Sequence, residues 1–407
     1  MQGFREPKEW DGGATDSPVV AMSTIRTMMA MLRLPGGDVG ETISAVDVST
    51  AFLQAAEYDP EEPPRYVKYK AHAGAEEEYY RLRGPLYGQR SAPLRWYKTL
   101  REWLLAPEQG FREAKNEPCV YVKDDLVVVA WVDDLLLRGT ADATTEFYKE
   151  FEKAFDIKDP SYLAEEAPLR FVGFDITKEK GADEEIKYGI DQDEAVSTFI
   201  EEMEEEFPEE MAGARAVQSP MAKASAMHED DTQLDGRGLE RYQSIVGSLN
   251  YFGMASRYDI AFATARLSQA SAKPTVGAEK AMVRVLKYLQ QHPKHKIEFE
   301  RSGKDGKDDF EFYSDSDHGG DQGFTTMSHT GAMFMLNGAP VMWISKKQSK
   351  MTAFSSALAE IFALSESVRG AQLLAWRAEE MGVGVTWPLV FQVDNEQSIV
   401  FQKATCL

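Results

Sequence analysis

Three places in this chain set aspartates against apolar, branched runs: Asp47 in SAVDVSTAF, the doublet Asp133-Asp134 in AWVDDLLL, and Asp315 with Asp317 in FYSDSDH. A carboxylate beside Val and Leu is costly to desolvate unless a cation or hydrogen bonds compensate. Convergent acids are what a pair of divalent ions about 4 Å apart requires, since each ion bridges an attacking or leaving oxygen and the acids offset their mutual repulsion. The chemistry in view is displacement assisted by paired metals. A second doublet, Asp124-Asp125, lies in the same kind of turn, and an Asp-Asp pair at a hairpin tip is ordinarily just solvated. Spacing leaves both doublets open. Composition leans towards 133–134, which sits among Trp131, Val132 and Leu135, whereas 124–125 follows Lys123. Near the end of the chain, Asp315 closes one strand, Glu360 lies in the opening turns of a helix and Asp394 closes a later strand. Groups at strand carboxyl ends and at an adjoining helix start tend to converge on one sheet edge. A first-turn Glu taken singly is what the helix dipole favours.

The elements that must hold these acids follow from periodicity. Ile25, Met28, Met29 and Leu32 have helical spacing within residues 15–36, and residues 42–47 read as a strand. Residues 119–139 form three β-rich runs separated by the two Asp-Asp pairs, a tight meander. Residues 171–176 and 185–190 read as strands, 199–210 as a helix with solvated acids, and 211–239 as a linker. Helices are predicted over 242–268 and 276–292. Then come a strand at 310–314, a hairpin about Asn337-Gly338, a helix over 355–381 and a strand at 389–393, a mixed α/β order.

Composition narrows the function classes. A length of 407 residues suggests two or three domains, and 43% hydrophobic residues supply a core. The 45 basic against 67 acidic residues leave a net charge of −22, so any contact with a polyanion must be local. The most basic and aromatic window is 79–103, where Arg81, Arg83, Arg90, Arg95, Lys98 and Arg101 alternate with Tyr79, Tyr80, Tyr87, Trp96, Tyr97 and Trp103. It is either a nucleic-acid surface or a helix face backed by aromatic core. Cys119 and Cys406 are too few for a disulfide framework or a cysteine zinc site, which fits a reducing compartment. The start lacks a signal peptide's apolar run, and no stretch approaches a membrane span. The chain is therefore read as intracellular, with no membrane partner.

Eleven segments, in order, resemble the reverse transcriptase and RNase H region of copia-type LTR retrotransposon Pol polyproteins. They are QGFREPKEWDGGATDSPVVAMSTIRTMMAM, AVDVSTAFLQA, YRLRGPLYGQRSAPLRWY, PCVYV, WVDDLLLRG, RFVGFDI, YQSIVGSLNYFGMASRYDIAFATARLSQ, RVLKYLQ, FYSDSDHGGD, WISKKQSKMTAFSSALAEIFAL and VDNEQSIV. The resemblance implies an α+β fold: a palm and fingers-like region (1–207) of antiparallel sheet with helices, a helical thumb or connection (208–303), and an RNase H-like α/β domain (304–407). It implies an RNA-directed DNA polymerase with ribonuclease H activity. Its catalytic and metal-holding acids would be Asp47, Asp133 and Asp134 for polymerisation, which decides between the two doublets, and Asp315, Glu360 and Asp394 for RNA hydrolysis. Phe52 matches the aromatic that excludes a ribose 2′-hydroxyl, and Tyr87, Gly88, Arg90 and Pro93 match the segment shaping the nucleotide pocket and template path. Two Mg²⁺ per site, or Mn²⁺, are implied as cofactors. The implied partners are an RNA template, a DNA primer, RNA/DNA hybrid, deoxynucleoside triphosphates and the protease and integrase parts of the full polyprotein. A cytoplasmic location in virus-like particles goes with them.

Departures from the family pattern are Trp131 for a Tyr before the doublet, Leu358 for a Glu, His318 for a Trp and Tyr258 for a Pro. The family's upstream basic stretch and its downstream fourth acid with a nearby His have no counterpart in these 407 residues, so the chain is read as truncated at both ends. The rival reading is a catalytically inactive relic of such a polyprotein that acts, if at all, as a binding protein.

Overall fold

Branched and aromatic runs set the strands of this chain, and several helices begin where a hydroxyl or carboxylate caps them. The computed structural model describes residues 15–32, 41–72, 74–181, 186–213, 216–221, 227–300, 308–318, 327–348 and 355–394. In chain order the elements are α1 (Met22–Ala30), β1 (Glu41–Asp47), β2 (Tyr66–Tyr69), β3 (Glu78–Arg81), α2 (Ala92–Leu104), β4 (Arg112–Glu113), β5 (Val120–Lys123), β6 (Leu126–Trp131), β7 (Asp134–Thr140) and α3 (Ala141–Ala154). There follow β8 (Ser161–Tyr162), β9 (Leu169–Phe171), β10 (Phe174–Lys180), β11 (Ile186–Asp191), α4 (Asp193–Glu206), α5 (Pro208–Met211), α6 (Gly236–Ala255), α7 (Ala261–Ala270) and α8 (Val276–Gln291). The last are β12 (Ile297–Glu300), β13 (Phe310–Asp317), β14 (His329–Leu336), β15 (Ala339–Lys347), α9 (Ser356–Glu380) and β16 (Phe391–Gln392). Among the described residues no helix is long and apolar enough to cross a membrane.

The chain divides into two compact units, one of residues 1–21, 33–163 and 380–382, the other of residues 22–32, 164–379 and 383–407. The first is built on a sheet of order β4-β5-β6-β7-β1-β8, in which every neighbouring pair is antiparallel. Its middle is dry: Leu126 to Ala130 on β6 and Leu135 to Leu137 on β7 are all buried. Such unbroken apolar runs are what a sheet covered on both faces needs, and each buried Leu or Val stabilises the fold by about 1.5–3 kcal/mol. The Thr140 hydroxyl accepts the Ala143 N–H and starts α3 directly from the end of β7. Phe147, Tyr148 and Phe151 then recur on one face of α3. Trp103 of α2 meets Phe147, Phe151 and Phe155 with ring centroids 5.1 to 5.9 Å apart. Gly139 is required by close approach, since a Cβ there would lie 2.6 Å from Leu126 Cδ1 and 2.9 Å from the Asp125 carbonyl oxygen.

In the second unit, an antiparallel sheet β12-β11-β10-β9 accompanies a helical cluster of α4 to α8, whose core includes Val196, Tyr242, Leu249, Met282 and Leu286. A second sheet has the order β15-β14-β13-β16, antiparallel except for the parallel pair β13–β16. Helix α9 joins β15 to β16 and buries a stripe of small residues, Ala359, Ala363, Ser367, Ala371 and Ala375. Small side chains let a helix lie close to its sheet, and a Cβ at Gly370 would come within 3.3 Å of Ile344 Cδ1.

Several sequence expectations shift by identifiable causes. The strand expected at 171–176 is instead a hairpin corner, β9 to β10, turning at Val172 and Gly173 with φ of 45° and 78°. The helix expected over 242–268 breaks after Ala255, where buried Arg257 pairs with Asp259 at 2.8 Å. The expected linker 211–239 ends early because Asp235 caps α6 through the Gly238 N–H; its residues 214–215 and 222–226 lie outside the described residues.

Candidate active site

The residues carrying the first acid set come together through strand register. Asp47 ends β1, and the β1–β7 ladder places it directly opposite Asp134, the first residue of β7. Opposed residues of an antiparallel pair send their side chains to the same face, with Cβ atoms about 4.5–5.5 Å apart. Asp133 occupies the two-residue turn between β6 and β7, together with Val132. Val132 has a φ of 58°, while Asp133 is not among the residues with positive φ. That is the pattern of a type II′ hairpin turn, whose first central position normally belongs to Gly. A β-branched residue held there stores on the order of 1–3 kcal/mol of strain, so the surroundings must over-determine it. They do so by two hydrogen bonds: the Val48 N–H donates to the Asp133 carbonyl at 2.9 Å, and the Trp96 indole N–H donates to the Val132 carbonyl at 2.7 Å. The rival doublet closes the other end of β6, where Asp125 accepts a hydrogen bond from the Thr140 hydroxyl at 2.7 Å. A six-residue strand separates the two turns by roughly 20 Å.

Burial, with like charges close by, shifts the carboxyls of the doublet upward. Burial, followed by the charges of Asp133 and Asp47, pushes the Asp134 carboxyl up to about 6. Burial also raises Asp133, with Asp47 adding to it. Lys158, just beyond the end of α3, donates to Asp47 at 2.7 Å, and this hydrogen bond raises the lysine above its ordinary value. Sequence reasoning did not single out Lys158, and Trp96 was noticed only within the basic and aromatic window. The three acids share one edge without forming a tight cluster, as Asp47 turns to Lys158 rather than to its neighbours.

The expected nucleotide segment lies against the same edge. Phe52, in a short 3-10 turn just past Asp47, packs on Tyr87 with ring centroids 4.8 Å apart. Burial raises the Tyr87 phenol, and the charges of Asp133 and Asp47 raise it further, which puts its hydroxyl within electrostatic reach of the acids. Gly88 has a φ of 86°, a conformation that favours Gly. The adjoining Gln89 side chain is buried, accepting from the Leu86 N–H and from the Tyr58 hydroxyl. Arg90 is half-buried, and Pro93 in the first turn of α2 has its carbonyl bonded by the Ser17 hydroxyl at 3.3 Å. The basic and aromatic window thus divides: Trp96 and Trp103 serve the core, while Tyr79, Tyr80 and Tyr87 stay exposed.

The second acid set is drawn tighter. Asp315 on β13, Glu360 in the opening turns of α9 and Asp394 just after β16 each offer an oxygen within 4.8 Å of the others. Among the described residues it is the one set of three or more His, Cys, Asp or Glu groups that meets this condition. Glu360 is half-buried, and burial, with Asp315 and Asp394 adding to it, raises its carboxyl above the ordinary value. Three oxygens at that spacing suit a hard divalent cation.

Sequence comparison with known proteins shows the family. A family model described as reverse transcriptase (RNA-dependent DNA polymerase) matches residues 1–223. A retrovirus-related Pol polyprotein from transposon TNT 1-94 of Nicotiana tabacum is 28% identical over 417 residues, which covers 99% of this chain and 29% of that protein. The corresponding polyprotein from transposon RE1 of Arabidopsis thaliana is 28% identical, covering 97% of this chain and 25% of that protein. A Ty1-LR2 Gag-Pol polyprotein of Saccharomyces cerevisiae is 22% identical, covering 93% and 21%. The chain therefore spans less than a third of the length of these relatives. The resemblance read from the sequence is borne out, and the chain belongs to the reverse transcriptase (RNA-dependent DNA polymerase) family, with similarity to the Pol polyproteins of copia-type transposons.

Proposed function

We propose that this chain is the polymerase and RNase H part of a retrotransposon polyprotein, extending a DNA primer on an RNA or DNA template and cutting RNA in RNA/DNA hybrids. The observation that carries the reading is the Asp47–Asp134 cross-strand pair beside the strained turn that presents Asp133. The domain assignment offered is palm and fingers for residues 1–207, a helical connection for 208–303 and an RNase H-like domain for 304–407. The β15-β14-β13-β16 order with its single parallel pair, and a long helix between β15 and β16, support the last of these.

Asp47, Asp133 and Asp134 would hold two Mg²⁺ or Mn²⁺ in the first site, and Asp315, Glu360 and Asp394 would hold the ions of the second. Such ions supply activation of the attacking primer hydroxyl or water and stabilisation of the leaving oxygen. The side chains do the rest. Asp134 and Glu360 are both raised, so protons compete with an ion for these oxygens and ion binding tightens as pH rises. Lys158 keeps Asp47 paired until a cation competes for it. Phe52 on Tyr87 makes a wall where a ribose 2′-hydroxyl would collide. Tyr87, Gly88, Arg90 and Pro93 would line the path of the incoming deoxynucleoside triphosphate and template. Protease and integrase segments of a longer polyprotein, and an intracellular, particle-associated life, complete the reading.

The test is primer extension on an RNA template by the full chain and by Asp133→Asn. The expected result is extension by the wild type and its loss in the variant. Extension unchanged by the substitution would reject the site, and a folded wild type that extends nothing would favour the inactive relic.

A further inference from the structure

The two carbonyls of the acid-bearing turn are tied to different parts of the same unit. The Asp133 carbonyl is held from the end of β1 by Val48, and the Val132 carbonyl from α2 by Trp96. Trp96 has no exposed surface, and its ring meets Phe155 edge-on at 5.3 Å, so its N–H is fixed in direction. We propose that Trp96 is a positioning residue for polymerisation: its indole N–H selects the conformation of the Val132 turn in which the Asp133-Asp134 doublet faces Asp47. This deepens the function proposed above and rests on it.

The physical argument begins with Val132. A positive φ costs Gly nothing and resists a branched side chain, so the turn, left alone, relaxes towards negative φ at this residue. That relaxation rotates the peptide between Val132 and Asp133 and re-aims the Asp133 carboxylate. Strand pairing does not prevent it, because the Trp131–Asp134 pair closes the ladder before the turn begins. An acceptor bond to the Val132 oxygen does prevent it, since a rotated peptide carries that oxygen away from the indole. The dependence runs both ways: indole is a donor only, and a buried Trp96 N–H without its acceptor is itself unfavourable. Trp96 also lies in α2, whose first turn contains Pro93, so the segment assigned to nucleotide and template and the acid turn share one rigid support.

Trp96→Phe keeps a ring and removes the donor; replacing Trp96 by its sulfur isostere β-(3-benzothienyl)alanine removes the donor with nearly unchanged shape. Two readouts are followed in the full chain: deuterium exchange of the turn peptide, and broadening of the Leu135 methyl signals by Mn²⁺. Loss of the hydrogen bond is expected to raise exchange at residues 132–134 about fivefold and to weaken Mn²⁺ binding at Leu135 about as much. In a Val132→Gly background, where positive φ carries no strain, the same change at position 96 is expected to have a smaller effect on both readouts. A donor-free variant that loses melting temperature yet keeps the exchange and Mn²⁺ response of the turn would reduce Trp96 to a packing residue and overturn the inference. So would effects of equal size in the wild-type and Val132→Gly backgrounds. If Mn²⁺ leaves Leu135 of the wild type unbroadened, the function proposed above fails, while the exchange measurement still decides whether Trp96 sets the turn.

Discussion

Replacing Asp134 by Asn is expected to make the protein more stable in metal-free buffer. The Asp134 carboxyl stands at about 6 in the folded chain against an ordinary value of 3.8, through burial first and then the charges of Asp133 and Asp47. A carboxylate raised on folding binds its proton more tightly in the native state, so native stability falls as pH rises from about 4 to about 6 and stays lowered above that. At 1.36 kcal/mol for each pH unit of displacement, the full penalty is about 3 kcal/mol. Asp134 is only half-buried, and solvent screening reduces the expected penalty to about 1 kcal/mol. Asn keeps the shape and removes the charge, so the variant is expected to melt about 2–4 °C above the wild type near pH 8. The advantage should shrink through pH 6 and vanish near pH 4, where the wild-type acid is protonated. Excess Mg²⁺ should reverse the order, because an ion that binds only the native wild-type site stabilises it by mass action. Thermal melts at several pH values, with chelator and with Mg²⁺, make the measurement. An Asn variant that is less stable near pH 8 in chelator, or whose advantage persists near pH 4, would refute the reasoning.

Two further predictions concern the second acid set and the first sheet. Glu360→Gln is expected to weaken Mn²⁺ binding at Asp315 and Asp394 about tenfold or more by calorimetry in an Asp133→Asn background. Wild-type affinity there should fall as pH drops through the range just above an ordinary glutamate, because the raised Glu360 takes up its proton. Gly139→Ala is expected to destabilise the fold by about 1–3 kcal/mol in denaturant titrations, since the new methyl group would meet the Asp125 backbone oxygen at 2.9 Å and backbone gives way poorly.

What was legible in the sequence was whatever depends on local pattern. The helix over residues 276–292 is observed as Val276–Gln291, and that over 355–381 as Ser356–Glu380, because their apolar stripes and caps are local properties. The meander of 119–139 was equally plain, as alternating turns and β-rich runs need no distant partner. Choosing between its two Asp pairs was another matter. Both sit in tight turns and composition only leans towards 133–134; what distinguishes them in the fold is that β1, far earlier in the chain, pairs with β7 and brings Asp47 to one end of the meander. Pairing at that range leaves no mark on the local pattern, and only the family resemblance resolved it. Lys158 and Trp96 were hidden for the same reason: one meets an acid 111 positions away, and the other a carbonyl 36 positions away. The break at Ser256 was missed because helical periodicity continues across it, while the Arg257–Asp259 pair that turns the chain is a tertiary feature.

The three acids of the second set are moored very unequally. Asp315 sits in an eight-residue strand and Glu360 in a 25-residue helix. Among the described residues Asp394 hangs from β16, which is joined to its neighbour through the pairs Phe312–Phe391 and Tyr313–Gln392. So short a ladder resists local opening weakly, and peeling it back carries off one oxygen of the three while the other two stay put. A bound cation would then act as a hasp across that seam, and the firmness of the sheet's outer margin would follow the free concentration of the ion.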